Sequence, residues 1–218
     1  MPMKHITFYL DFISPYAYLA FEHLPEALKG ISYSVDYKPV LFAGMLKHHG
    51  QLGPAEIAPK RDWTYRQVMW LAQSLNVPMQ MPVSHPFNPL PLLRLALACN
   101  LPATGLASRY VCETIFRHVW CSAQDAGNTE RTKALTAQFG PAQNVQSDEV
   151  KNSLKNNTDK AIAQGVFGVP AFAVDGKIFW GLDSLPMLRD YLSGASWFET
   201  GDWENIQNVG SGITRSKG

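Results

Sequence analysis

Cysteine is scarce and unpaired in this chain: three of them, Cys99, Cys112 and Cys121, in 218 residues, and no Cys-x-x-Cys among them. An odd count without paired spacing argues against a disulfide framework. Protein disulfide exchange needs a dithiol that the chain does not carry. Charge is scarce as well. Charged residues make up 17% of the chain and the formal net charge is +1, so no basic field exists to attract nucleic acid. No run approaches about 18 consecutive apolar residues, which excludes a membrane-spanning helix. Met1-Pro2-Met3-Lys4 leads directly into a strand pattern, with no room for a signal peptide, and the closing Ser216-Lys217-Gly218 departs from the peroxisomal Ser-Lys-Leu address in its last residue. A cytoplasmic location is expected. The six histidines are scattered, and adjacent His48-His49 is poor spacing for a helical chelate, so no metal is expected.

What the chain has is enough apolar material for a large core, 46% hydrophobic and 11% aromatic. Ile6, Phe8 and Leu10 alternate with His5, Thr7 and Tyr9, the period of a strand. A helix follows, carrying Tyr18, Leu19, Phe21 and Leu24. Ile31 to Tyr37 alternates again and predicts a second strand. Leu41 to Pro59 reads as loop, broken by Gly44, Gly50, Gly53, Pro54 and Pro59. From 61 to 164 the period is helical: Trp63, Val68, Leu71 and Leu75 form one stripe, Leu93, Ala96 and Leu97 another. A third runs through Leu106, Tyr110, Thr114, Phe116, Val119 and Trp120. Asn128 or Thr129 opens a fourth helix ending at Gly140-Pro141; Ser147 caps a fifth, with Val150, Leu154 and Ala161, which Gly165 ends. Two short apolar runs then flank Asp175-Gly176, the pair that suits a type I′ hairpin. Asp183 or Ser184 opens a last helix through Leu188 to Leu192. No repeat is visible, and the tail from Gly201 is expected to lie loosely on the surface.

Two local features carry chemistry. Asp11-Phe12-Ile13-Ser14-Pro15-Tyr16-Ala17-Tyr18-Leu19-Ala20 joins the first strand to the first helix. Ser14 falls at the N-cap and Pro15 at the first helical position, where a missing N–H costs nothing. A hydroxyl thus stands where unpaired backbone N–H groups point outward, a site suited to an anion. Far along the chain, Val169-Pro170 enters a strand at a position where Pro cannot donate to the ladder. A cis X-Pro bond in a tight turn is one way to accommodate it.

Together these features resemble the thioredoxin fold of the DsbA-type superfamily, from about Lys4 to about Leu192. The motif Asp11-Phe12-x-Ser14-Pro15-Tyr16-x-Tyr18-Leu19 is similar to that of the kappa-class glutathione transferases and the 2-hydroxychromene-2-carboxylate isomerases. The implied fold class is α/β, a thioredoxin-like fold with a large all-α insertion. Its parts are a discontinuous thioredoxin-like domain, 1–60 and 165–200, a helical insertion, 61–164, and a tail, 201–218. The superfamily's redox dithiol falls at Ser14-Pro15-Tyr16-Ala17, where both sulfurs are absent. The resemblance implies glutathione as cofactor, held by Ser14, Pro15, Tyr16, Val169 and Pro170, with Trp180-Gly181-Leu182-Asp183 at its γ-glutamyl end. It implies a small aromatic carboxylate as substrate, touched by Lys47, by Gln51 in place of a family asparagine and by His85 in place of a tyrosine. It also implies a homodimer.

A free thiol ionises near pH 8.5, leaving roughly 3% thiolate at neutral pH. Lowering that by two units takes about 2.7 kcal/mol of differential stabilisation. A helix N-terminus supplies about 0.3–1 kcal/mol, reaching about 2 where partly buried. A hydrogen bond to a charged group adds roughly 1.5–3. Ser14 Oγ–H and the first-turn N–H groups together suffice, with Ser14 a donor to the guest sulfur and not a nucleophile. The expected activity is a glutathione-dependent cis-trans isomerase of an aromatic-degradation intermediate. A kappa-like glutathione transferase and a non-catalytic thioredoxin-like module that binds extended peptides are the alternatives.

Overall fold

The structure is a computed structural model that describes residues 3–100, 105–210 and 212. Among the described residues four strands, β1 (Lys4–Leu10), β2 (Tyr33–Pro39), β3 (Ala171–Val174) and β4 (Lys177–Trp180), form one sheet in the order β2-β1-β3-β4. β1 runs parallel to β2 and antiparallel to β3, and β3 pairs antiparallel with β4. The helices in chain order are α1 (Pro15–Ala27), α2 (Phe42–His49), α3 (Ala58–Ser74), α4 (Leu90–Ala98), α5 (Arg109–Trp120), α6 (Thr129–Phe139), α7 (Asp148–Ala163), α8 (Leu185–Leu192) and α9 (Asp202–Asn205). This is the thioredoxin-like α/β fold with a helical insertion. Among the described residues no helix is long and apolar enough to cross a membrane.

The alternation of β1 sorts the core into two layers. Ile6, Phe8 and Leu10 point to one face, where they meet Phe172 and Phe179 of the hairpin, Phe21 of α1 and Leu188 of α8. Tyr9 points to the other and packs with Met45 of α2, Ala161 of α7 and Ala171. Each fully buried side chain of this kind contributes roughly 1.5–3 kcal/mol. The α1 side is the larger layer because the insertion joins it. Phe116 of α5 lies 4.9 Å from the Phe12 ring and 5.2 Å from the Phe21 ring.

Several expectations differ from the fold. Residues 42–49, read as loop, form α2. The N–H groups at its start find acceptors far away in sequence: that of Leu41, the residue before the helix, donates to Thr158 Oγ1 (2.9 Å) and that of Phe42, the first helical residue, to Asp11 Oδ2 (2.9 Å). Long-range caps of this kind leave no local signature. Trp63 does not join an inward stripe; it is 63% exposed, and Val68 and Ala72 are the buried residues of α3. On α5 the buried face is Val111, Cys112, Ile115, Phe116, Val119 and Trp120, while Tyr110 is exposed. Cys112 serves there as a small hydrophobe. The second strand begins at Tyr33, not Ile31. From α7, Ala161 packs on the sheet's second face. Of the tail from Gly201, α9 sets Trp203 5.4 Å from the Phe179 ring, against the core. Residues 211 and 213–218 of that tail, including Ser216-Lys217-Gly218, lie outside the described residues, as do Met1 and Pro2.

Candidate active site

The sheet topology brings the end of β1 beside the start of β3, and with it the two halves of a site 155 positions apart. Ser14 has extended backbone (φ −89°, ψ 115°) and caps α1, its Oγ accepting from Ala17 N–H at 3.2 Å. Pro15 follows as the first helical residue. The same hydroxyl donates to Val169 O at 3.3 Å, a long bond across the site. The Val169–Pro170 peptide is cis. Among the described residues nothing accepts from the N–H of Tyr16 or of Val169. A hydroxyl and two uncommitted backbone N–H groups therefore belong to the two segments that meet where α1 begins. That set fits an anion with a short peptide backbone beside it.

The other residues of the motif segments assemble around this point. Tyr16 sends its hydroxyl to α3, donating to Gln67 Oε1 at 2.7 Å. Burial raises its pKa above the usual phenol range, Thr64 beside it opposes the rise, and the Asp183 carboxylate adds to it. Asp183 thus stands near enough to Tyr16 to act on its charge. Gly181 N–H donates to Pro170 O at 2.9 Å, which ties the Leu182–Ser184 turn to the cis-Pro segment. Only glycine suits position 181: φ is +96°, and a Cβ there would run into the Asp183 carboxylate. Trp180 is 52% exposed, its ring tilted against the Phe167 ring at 4.8 Å. Ser14, Pro15, Tyr16, Val169, Pro170, Gly181, Leu182 and Asp183 so form one neighbourhood, with Trp180 at its edge.

The expected substrate residues divide. Lys47 and Gln51 are exposed at the C-terminal end of α2 and just beyond it, and no hydrogen bond or ion pair ties either side chain to the Ser14 neighbourhood among the described residues. His85 does reach the motif. Its Nε2 lies 2.8 Å from Ile13 O and its Nδ1 lies 2.8 Å from Tyr65 Oη. Burial lowers its pKa, so the ring is neutral at neutral pH. Beside it, between α3 and residues 81–86, a cleft of about 460 Å³ is lined by Arg61, Tyr65, Met81, Val83, Ser84 and His85.

Asp11 opens the motif at the end of β1. Its carboxylate is fully buried and accepts from Ile13 N–H (3.1 Å) and Phe42 N–H (2.9 Å), joining the Ser14 loop to α2. Burial pushes its pKa up to about 7 against these N–H groups, which hold it down. A carboxylate closing an apolar strand was the available signal for it. Tyr65 carried none. Among the described residues no three His, Cys, Asp or Glu side chains gather as a metal site. The cysteines stay apart as free thiols, and burial pushes Cys99 up to about 11.

Comparison with known proteins places this geometry in context. The profile of the DSBA-like thioredoxin domain matches residues 5–193. Glutathione S-transferase kappa 2 of Caenorhabditis elegans is 28% identical over 207 residues, covering 87% of this chain and 92% of the relative. The 2-hydroxychromene-2-carboxylate isomerase of Sphingobium xenophagum is 26% identical over 196 residues, covering 87% and 98%. A solved structure of a 2-hydroxychromene-2-carboxylate isomerase superposes with a TM-score of 0.72 at 20% identity, covering 94% of this chain and all of that one.

Proposed function

The chain belongs to the DSBA-like thioredoxin domain family, and from that premise we propose that it is a glutathione-dependent isomerase of the 2-hydroxychromene-2-carboxylate type. The observation that carries this reading is the Ser14 hydroxyl, 3.3 Å from Val169 O where the superfamily's sulfur would stand. The protein offers no thiol at that point and instead offers donors to one. The tripeptide's cysteinyl backbone pairs with Val169, its γ-glutamyl end meets Gly181 to Asp183, and its sulfur sits over Ser14 Oγ and Tyr16 N–H. On binding, the Ser14 proton turns from Val169 O to the thiolate.

The thiolate then adds to the conjugated alkene of a ring-opened aromatic keto acid, and the electron pair moves into an enolate. The former double bond, now single, rotates. Collapse of the enolate expels the thiolate and leaves the trans alkene, so glutathione returns unchanged. In this reading the organic substrate enters the cleft beside His85, where Arg61 is the cation for its carboxylate; Lys47, expected in that part, is not among the residues lining the cleft. Holding the developing enolate contributes much of the rate. Purified protein mixed with the chromene carboxylate should change the ultraviolet spectrum only when glutathione is present. No glutathione-dependent change would remove the reading. The 28% identity to a kappa transferase favours a second one, stable conjugate formation. Chlorodinitrobenzene discriminates, because a transferase releases chloride from it and an isomerase does not.

A further inference from the structure

The peptide plane between Ile13 and Ser14 is gripped at both ends. Ser14 N–H donates to Asp11 O at 3.1 Å, and Ile13 O accepts from His85 Nε2 at 2.8 Å. The preceding carbonyl is held as well: Trp120 Nε1–H donates to Phe12 O at 3.0 Å, and the rings of His85 and Trp120 lie 5.5 Å apart. Two neighbouring side chains of the insertion thus hold two consecutive carbonyls of the nucleophile-side loop. A carbonyl oxygen only accepts, so Nε2 of His85 carries the proton in this contact. The neutral ring is then left with an acceptor at Nδ1, and Tyr65 O–H, whose single proton is shared with His85 O (2.9 Å), stands 2.8 Å from it. Both ring nitrogens are spent inside the protein, and neither remains for a substrate.

We propose that His85, oriented by Tyr65, is a positioning residue that fixes the Ile13–Ser14 peptide plane and so aims the Ser14 hydroxyl at the guest sulfur. The physical link is short. Rotating that plane changes φ of Ser14, and with it the direction of Cα–Cβ, while Ala17 N–H pulls on Oγ from the helix side. With the His85 donor removed, Ile13 O loses its partner and only Asp11 O restrains the plane. The thiolate then meets a hydroxyl that is present but misdirected. This role goes beyond the substrate contact expected at His85, which also lines the cleft, and rests on the proposed function.

The test compares His85→Phe, which keeps a ring and loses the donor, with His85→Gln, whose Nε2 can still donate to Ile13 O. The thiol of glutathione bound to each protein is titrated by thiolate absorbance, and kcat and KM for the isomerisation are measured. His85→Phe should raise the bound thiol pKa by about one unit and lower kcat about tenfold below that pKa, with KM for glutathione little changed. His85→Gln should restore both to within a few-fold. Tyr65→Phe, which leaves the loop itself untouched, should shift the thiol in the same direction by less, and it decides the matter should His85→Phe fail to fold. A wild-type thiol that titrates as it does in buffer would remove the proposed function and this inference with it. A lowered wild-type thiol that neither His85→Phe nor Tyr65→Phe raises would overturn the inference alone, as would failure of His85→Gln to rescue.

Discussion

Ser14→Ala separates two duties that one hydroxyl performs. As a cap, Oγ accepts from Ala17 N–H at 3.2 Å; replacing a serine cap by alanine costs about 1 kcal/mol. The bond to Val169 O is long, 3.3 Å, and adds no more than roughly 0.5 kcal/mol, the low end for a neutral pair. A loss of about 1.5 kcal/mol lowers Tm by roughly 3–6 °C in a chain of this size. As a donor to thiolate, the same group contributes about 1.5–3 kcal/mol, because the acceptor is charged. Its loss should raise the bound thiol pKa by about 1–2 units and lower turnover roughly 10- to 150-fold. Tyr16 N–H and the α1 terminus remain, so the thiol should stay somewhat below its free value. The assay is a titration of thiolate absorbance in the complex, beside calorimetry for glutathione and a thermal melt. Affinity measured below the thiol pKa should hold, since the backbone contacts at Val169 are intact. A variant whose melt falls as expected while its bound thiol ionises as in wild type would refute the reasoning: Ser14 would be a cap and nothing more.

Other consequences follow from the same contacts. Burial raises the Asp11 carboxyl from 3.8 to about 7 in the fold, so the protonated form is favoured there; its contribution is fully present below about pH 4 and fades as pH rises to 7. The stability of wild type relative to Asp11→Asn should therefore fall across that window, by up to about 4 kcal/mol in denaturant titrations, and a flat difference would contradict the assignment. Asn157 Nδ2 is buried and donates to Pro39 O (2.9 Å) and Gly105 O (2.6 Å). Asn157→Ala orphans two carbonyls and should cost about 2–5 kcal/mol, read from urea unfolding. A Cβ at Gly168 would stand 2.7 Å from Trp180 Nε1, so Gly168→Ala should displace the exposed indole, shifting tryptophan emission and weakening glutathione binding in calorimetry while moving Tm little.

How much of this was legible follows the range of the interactions. Ser14, Pro15 and the α1 pattern are read within a single turn of chain, and the hairpin turn from two residues, both observed with left-handed φ at Asp175 (49°) and Gly176 (79°). The outward Trp63 was not legible, because periodicity reports that a helix has faces but not which one meets the core. Nor was His85's engagement with Ile13, 72 positions away, since either ring nitrogen of a histidine serves equally well in isolation.

The sequence by itself determined the strand order of burial along β1, the capped start of α1, the hairpin, and the absence of any sulfur at the point where the superfamily keeps one. Each depends on atoms a few bonds apart, so the local pattern is the interaction. Tertiary structure alone decided that α2 exists, that Asp11 joins it to the Ser14 loop, and that the insertion grips the carbonyls of Phe12 and Ile13. Those bonds satisfy backbone groups with side chains distant in sequence, and their partners become definite only once the chain has closed on itself.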